Sequence, residues 1–466
     1  MIKRKLSILI IAIFIITSGI GVFGSSNNDM KDIKLDTFDL VIISPSLFSD
    51  QIQRLVEHKN NVGISTFLKT TEEIYSQYDG HDEAEQIKYF IKDAIEQSGV
   101  KYVLLVGGRI GQSFRWHVPV RYSNVYDGFM HYNFLSDLYF ADIYDENGDF
   151  DNWDDNSNQI YSEWNEDISE EVVDLIPDVA LGRLPCRNQE EVIDIVEKII
   201  SYETSSYGKQ WLKNILLIGG DTNPGIGDLY PYEGEVDCKQ TKQLLAGYNV
   251  TELYATEGTL LDYNDFISSF NKGSGFVLFH GHGLQDGLFT HNIDGEQITV
   301  FDLKYLSYLN NYNMYPITVV GCCLTTEFDV GLFNFLRIFE NLKQHRWFRN
   351  MKYECISESI SWQLVKKTDG GSIAHIGSSS TAWGADGDEN NDGIPDSVQN
   401  GYTSGLCYEF FNIISEGELD ILGDVYVETL SRVINDQNPY NDVVQVKCIQ
   451  EFQMIGDPSL KIGGYP

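Results

Sequence analysis

The tightest constraint in this sequence is a series of short apolar runs, each closed by a turn residue and followed by a stretch with helical spacing. Leu40-Val-Ile-Ile-Ser-Pro, Tyr102-Val-Leu-Leu-Val-Gly-Gly and Asn214-Ile-Leu-Leu-Ile-Gly-Gly are the clearest. A strand covered on one face alternates apolar with polar residues; a run apolar at nearly every position needs cover on both faces, as in a parallel sheet. Residues 50–60 and 189–202 read as helices, and a second strand is expected from Ile64 to Leu68. Residues 82–98 place apolar side chains three and four apart, which predicts an amphipathic helix. Strand–helix alternation of this kind gives a doubly wound α/β sheet. Residues 137–170, rich in Asp, Asn and aromatics, interrupt the pattern. It resumes in Gly275-Phe-Val-Leu-Phe, Ile317-Thr-Val-Val-Gly and Gly371-Ser-Ile-Ala-His-Ile-Gly. Two α/β subdomains side by side, 35–205 and 206–466, fit this order, with the boundary near 203–213.

The N-terminus places Met-Ile-Lys-Arg-Lys before an apolar run from Leu6 to Ile16 and a small-residue exit, with Val22 and Gly24 suited to precede a cut. Residues 1–24 are therefore expected to be a signal peptide or an N-terminal membrane tether, and the rest to be exported, secreted or at the cell surface. Acidic residues number 69 against 33 basic, a formal charge of -36, which repels phosphate backbones and argues against a nucleic-acid partner. The seven cysteines are an odd number, so at least one thiol has no partner within the chain. No Cys-x-x-Cys pair suggests a zinc ribbon or a thioredoxin-type site.

The chemistry is expected where strands end. The strand at 275–279 runs into His280-Gly-His-Gly, and the strand at 317–321 runs into Cys322-Cys323. Functional crevices in open α/β sheets lie outside the carboxyl ends of strands, so these exits would bring an imidazole beside a thiol. Gly283 allows close approach, and the N–H groups of Gly283 and Cys323 are candidate oxyanion donors. Each residue also has a plainer reading: a structural histidine after a strand, or a cysteine acting as a small apolar side chain. A metal hydrolase using His280 and His282 with Asp286 or His291 is a rival reading of the same segment.

At these residues the sequence resembles the gingipain family of caspase-like cysteine peptidases. Leu55-Val-Glu-His-Lys-Asn, Tyr102-Val-Leu-Leu-Val-Gly, Pro177-Asp-Val-Ala-Leu-Gly-Arg-Leu, Phe279-His-Gly-His-Gly and Ile455-Gly-Asp-Pro-Ser-Leu occur in the family's order over most of the chain after residue 38. The resemblance implies a caspase-like α/β fold and a cysteine endopeptidase acting on protein or peptide substrates. It matches His282 to the catalytic histidine and Cys323, rather than Cys322, to the nucleophile. Asp221 matches an acid that orients the histidine, with a turn or helix-cap residue as the plain alternative. Trp383 matches the aromatic wall of the pocket for the residue before the cut, with a core tryptophan as its alternative. Members that cut after Arg or Lys carry an acid at the bottom of that pocket. Here the matching stretch, Tyr232-Glu-Gly-Glu-Val-Asp, offers Glu233, Glu235 and Asp237, with Glu235 preferred. Two features depart from the family: Thr326 stands where Gly is common, and residues 329–353 form a longer aromatic segment.

Residues 386–396 read Asp-Gly-Asp-Glu-Asn-Asn-Asp-Gly-Ile-Pro-Asp, with oxygen ligands at alternate positions and Gly393 for the turn. This resembles part of a calcium loop, with Asp388, Asn390, Asp392 and Asp396 as the ligands of a structural Ca2+; no cofactor is expected for catalysis. Residues 145–158 form a second, less regular candidate. A non-catalytic, calcium-bound adhesion or scaffold protein is the alternative function.

Overall fold

The computed structural model describes residues 37–127, 133–165, 168–169, 173–224, 232–334, 355–385, 387–388, 394–399 and 402–466. The leader at 1–24 lies outside them. Thr37–Pro466 form one compact unit. Its centre is a ten-stranded sheet built from β1 (Leu40–Ser44), β2 (Thr66–Thr70), β3 (Tyr102–Val106), β4 (Ala180–Leu184), β5 (Asn214–Gly219), β6 (Asn249–Tyr254), β7 (Phe276–His280), β8 (Ile317–Gly321), β9 (Ala374–Ser378) and β10 (Phe452–Ile455). The order across the sheet is β6-β5-β7-β8-β9-β10-β4-β3-β1-β2.

The apolar runs become the inner strands. β1, β3, β4, β7 and β9 are buried at every position, because helices cover both faces. The two edges are different: β6 has exposed positions and β2 is mostly half-buried. The strand expected at Ile64–Leu68 is found two residues later, at Thr66–Thr70. The amphipathic stretch forms a helix over Glu83–Ser98, capped by the Asp82 carboxylate on the Glu85 N–H and closed by Gly99 at φ 72°.

Strands from before residue 205 occupy one end of the sheet and those from after 206 the other. Between them lies β10, which pairs antiparallel with β9 and parallel with β4. A strand of four residues directly following helix Val443–Glu451 carries no turn signal, so the sequence pattern did not reveal it. The interruption at 137–170 contributes Tyr161–Asn165 and Ile168–Ser169 to a small sheet with Tyr122–Tyr126 and Phe134–Leu135. Among the described residues, no helix is long and apolar enough to cross a membrane.

A buried ion triad ties the two ends of the chain together. Lys59, on helix Ser49–Asn61, lies 2.8 Å from Glu203 of helix Gln189–Ser205 and 2.8 Å from Asp457, just beyond β10. All three side chains are fully buried or nearly so. Burial alone would lower the lysine's pKa; the two carboxylates outweigh it and raise it, so the ammonium keeps its proton. Removing one member of such a cluster strands the others' charge in the interior. Lys59→Met should therefore lower the unfolding free energy by about 3–5 kcal/mol in urea titrations, whereas a change below about 1 kcal/mol would mean that the triad is not a determinant of stability.

Candidate active site

β7 and β8 are parallel neighbours, with His280 paired to Gly321. The chain therefore leaves both strands at the same edge of the sheet. After β7 it turns through Gly281 into a hairpin, His282–Leu284 against Gly287–His291. After β8 it passes Cys322 and Cys323 into a tight turn in which Leu324 takes φ 62°. A leucine in the left-handed region costs on the order of 1–3 kcal/mol, so the surroundings must hold it there. They do so through Leu324 N–H on the Ser380 carbonyl (2.8 Å) and Thr326 N–H on that of Ser378 (3.0 Å). Thr326, buried, also donates its hydroxyl to the Gly377 carbonyl at 3.0 Å, so the threonine at this position stitches the turn to β9. Of the longer segment at 329–353, residues 335–353 lie outside the described residues.

His282, Gly283, Cys323 and Trp383 line one cleft of about 620 Å³. The two exits touch: a Cβ on Gly283 would sit 2.3 Å from the Cys323 carbonyl oxygen and 2.7 Å from Cys322 Sγ. Only a glycine permits that approach. Cys322 is buried, and burial holds its thiol well above the ordinary range. Cys323 is half-buried, its Sγ 3.7 Å from the Ala382 carbonyl, and burial pushes its thiol up to about 11. It therefore rests as a thiol and needs a base to react.

The ring of His282 is fixed on several sides. Its Nε2 lies 2.6 Å from the Thr222 carbonyl, which accepts, so Nε2 carries the proton and Nδ1 is left as the basic nitrogen. Phe289 stacks on the ring at 5.3 Å, and His291 meets it edge-on at 5.8 Å. Thr222 is held in turn by Glu233, which accepts both its N–H (3.3 Å) and its hydroxyl. Asp221, one residue earlier, accepts the Asn223 N–H at 3.0 Å, while its backbone pairs with His291. His282 is thus oriented through a main-chain carbonyl next to Asp221, a partner whose identity no residue letter reveals.

The acids of the cleft come from helix Glu233–Leu244. Glu233 and Asp237, four residues apart, share a face and line the cleft. Glu235 does not come to the cleft: it lies about 200° round the helix from Glu233. Its carboxylate accepts the N–H (2.8 Å) and hydroxyl (2.6 Å) of Thr256 instead. The structure thus turns Glu235, the residue preferred from the sequence, away from the cleft; the helix start carries no side-chain cap to mark it, Tyr232 standing there at φ 70°. Asp237 is buried, accepts the Ser397 hydroxyl and lies 3.7 Å from His280 Nδ1. Burial raises its carboxyl against the pull of His280, Ser397 and Ser404. His280 is also buried, and neither ring nitrogen has a hydrogen bond among the described residues. Trp383, half-buried and also lining the cleft, donates Nε1 to Asp127 at 2.9 Å.

Of the calcium candidates, Asn390 and Asp392 lie outside the described residues. Asp388 is half-buried, and Asp396 is buried at the start of the short helix that brings Ser397 to Asp237. In the second candidate segment, Asp145 accepts the N–H groups of Asn147 and Asp149, and Asp154 those of Asn158 and Gln159. Among the described residues no three His, Cys, Asp or Glu side chains are grouped to hold a metal ion. The metal-hydrolase reading of His280, His282, Asp286 and His291 gains nothing from the structure: His280 is turned onto Gly321 and Asp237.

Comparison with known proteins points the same way. Gingipain R2 of Porphyromonas gingivalis is 22% identical over 298 residues, 62% of this chain and 32% of the relative. Lys-gingipain HG66 of the same organism is 26% identical over 161 residues, 34% of this chain and 8% of the relative. The chain thus spans about a third or less of the length of these curated relatives. The crystal structure of the Arg-specific cysteine proteinase gingipain R superposes with a TM-score of 0.61 at 19% identity, covering 92% of this chain and 79% of that one. This confirms the caspase-like α/β fold expected from the sequence. The model of peptidase family C25 matches residues 33–463, nearly the whole of the described molecule, and the chain belongs to that family, the gingipains.

Proposed function

We propose that this chain is an exported cysteine endopeptidase that hydrolyses peptide bonds through Cys323 and His282. The observation that carries the reading is the shared cleft of these two side chains, with the Gly283 backbone packed on the Cys323 carbonyl. In this mechanism His282 Nδ1 takes the Cys323 proton as sulfur attacks the substrate carbonyl. A thiol raised to about 11 is rarely ionised near neutrality, so proton removal and attack must be closely coupled. The N–H groups of Gly283 and Cys323 stabilise the oxyanion, and His282 then protonates the leaving amine. Water attacks the thioester, His282 again acting as base, and the thiol is regenerated.

The cleft also supports a preference for a basic residue before the cut. Asp237 with Glu233 supplies negative charge beside the nucleophile, and Trp383 gives an apolar wall for the stem of a long side chain. The charged leader followed by an apolar run supports export, by a cleaved signal peptide or with an N-terminal tether. A structural calcium at 386–396, drawing on Asp388 and Asp396, belongs to the proposal as a support of the loop that delivers Ser397 to Asp237.

A peptide-library digest tests the assignment. Cys323→Ala should lower kcat/KM by on the order of 10^4-fold or more, and iodoacetamide should inactivate the intact chain by modifying residue 323. Loss of activity to a chelator but not to alkylation would favour a metal hydrolase, and absence of cleavage throughout the library would leave a scaffold. Specificity is tested separately. Asp237→Asn should cut kcat/KM for Arg and Lys substrates by about 30-fold or more, the cost of losing a buried charge partner. An equal loss for neutral residues at that position would disprove its role in recognition.

A further inference from the structure

A closed group of charges lies behind Cys323. Helix Val443–Glu451 runs into β10 and carries Lys447, whose side chain is fully buried. Its Nζ lies 2.6 Å from Asp127 Oδ2 and 2.8 Å from the Thr381 carbonyl, which both accept. The same Asp127 oxygen accepts Trp383 Nε1 at 2.9 Å. One ammonium thus fixes both ends of Thr381-Ala382-Trp383: one end through a carbonyl, the other through a shared carboxylate. The middle of that segment faces the thiol, since the Ala382 carbonyl accepts from Cys323 at 3.7 Å. Glu451, one helical turn on, is 3.8 Å from Lys447 and fully buried, and neither carboxyl oxygen has a hydrogen bond of ordinary length among the described residues.

Burying a lysine is costly unless its charge is matched. Asp127 supplies one negative charge. Glu451 is a weaker second partner: burial pushes its carboxyl up to about 8, Lys447 pulling it back and Asp127 pushing it further. Of the two charges acting on Cys323, Glu451, when ionised, opposes a thiolate, and Lys447, the weaker of the two, favours it.

Resting on the reading of Cys323 as nucleophile, we infer that Lys447 is a positioning residue: it clamps the Thr381–Trp383 wall across from the sulfur and provides the buried positive charge behind the thiolate. Glu451 is its counterweight. The groups that act on Glu451 are Lys447, Asp127, the Ser378 hydroxyl, Cys323 and the thiol of Cys448. Below about pH 8 the Glu451 carboxyl is neutral and the lysine's field reaches the sulfur. As the carboxylate forms with rising pH it opposes that field, and its effect at the sulfur outweighs that of Lys447.

The test is the rate of iodoacetamide addition to Cys323 as a function of pH, read by mass spectrometry at that residue in the intact chain, alongside kcat and KM on one peptide. Lys447→Met should react about tenfold more slowly at pH 7, the effect of one pKa unit on the thiol, with kcat falling in parallel. Glu451→Gln, nearly isosteric and unable to ionise, should react severalfold faster than the unsubstituted chain at pH 9. A folded Lys447→Met variant with an unchanged alkylation profile overturns the inference. So does a Glu451→Gln profile that coincides with the parent at pH 9, and this variant decides alone if Lys447→Met fails to fold. Failure of the peptidase reading is a different result: alkylation of residue 323 would then leave peptide turnover intact.

Discussion

The hydrogen-bonded register between β7 and β8 is the interaction on which the site depends. Parallel strands lie about 4.8 Å apart and deliver their chains to the same edge of the sheet. His280 opposite Gly321 therefore sets residue 282 against residue 323 before any side chain is considered. The register holds only with glycine at two places. A Cβ at 321 would stand 2.3 Å from His280 Nδ1, and one at 283 would stand 2.3 Å from the Cys323 carbonyl oxygen. The first glycine leaves room for a histidine ring between strand ends; the second lets the hairpin after β7 settle on the turn after β8. Backbone contact, more than side-chain contact, makes the cleft a single object.

Distant parts of the chain then finish what the two strands begin. Helix Glu233–Leu244 contributes Glu233 beneath Thr222 and Asp237 at the cleft wall. The segment after β9 contributes Ala382 and Trp383. Ser397 and Ser404 act on Asp237 from beyond the acidic loop. Each polar group is itself held by a neighbour, as a site requires if its side chains are to stay within a fraction of an ångström of working geometry. The hold on His282 shows the logic: carboxylate to threonine, threonine carbonyl to imidazole, with aromatic faces preventing rotation.

What was legible in the sequence follows from what residue letters encode. Strands buried on both faces announce themselves through unbroken apolar runs, so β1, β3, β5, β7 and β8 were evident. Because the chain leaves β7 through His280-Gly-His282 and β8 through Cys322-Cys323, the expectation of an imidazole beside a thiol follows from the letters alone. Partners that act through the main chain were hidden, since the Thr222 carbonyl would look the same under any residue name. The three candidate acids were legible, but the choice among them was hidden by a helix start at a left-handed tyrosine, where a capping Ser, Thr, Asp or Asn would have marked the helix and shown that 233 and 237 face together. The cluster around Lys447 joins residues 320 apart in sequence, and no local pattern points from Asp127 to it. β10 was too short and too close to a helix to read.

The thiols show how Cys323 differs from the five buried cysteines, Cys355 being exposed and away from the cleft lining. Burial raises Cys186, Cys238, Cys322, Cys407 and Cys448 far enough to make them inert apolar side chains, Cys448 reaching about 12. Cys323 is also raised, to about 11, yet it is half-buried and faces a cleft. A cysteine kept largely as its thiol oxidises slowly, because the thiolate is the form that reacts with oxidants. The same suppression would leave it a poor nucleophile were no base beside it. In the proposed mechanism the conflict is resolved by His282, which the hairpin after β7 brings to the same cleft: the proton leaves when a substrate carbonyl is present to take the sulfur's electrons. The burial that suppresses Cys323 at rest is therefore compatible with the proposed catalysis, and the register of β7 and β8, which brings residues 282 and 323 to one cleft, is what makes the two compatible.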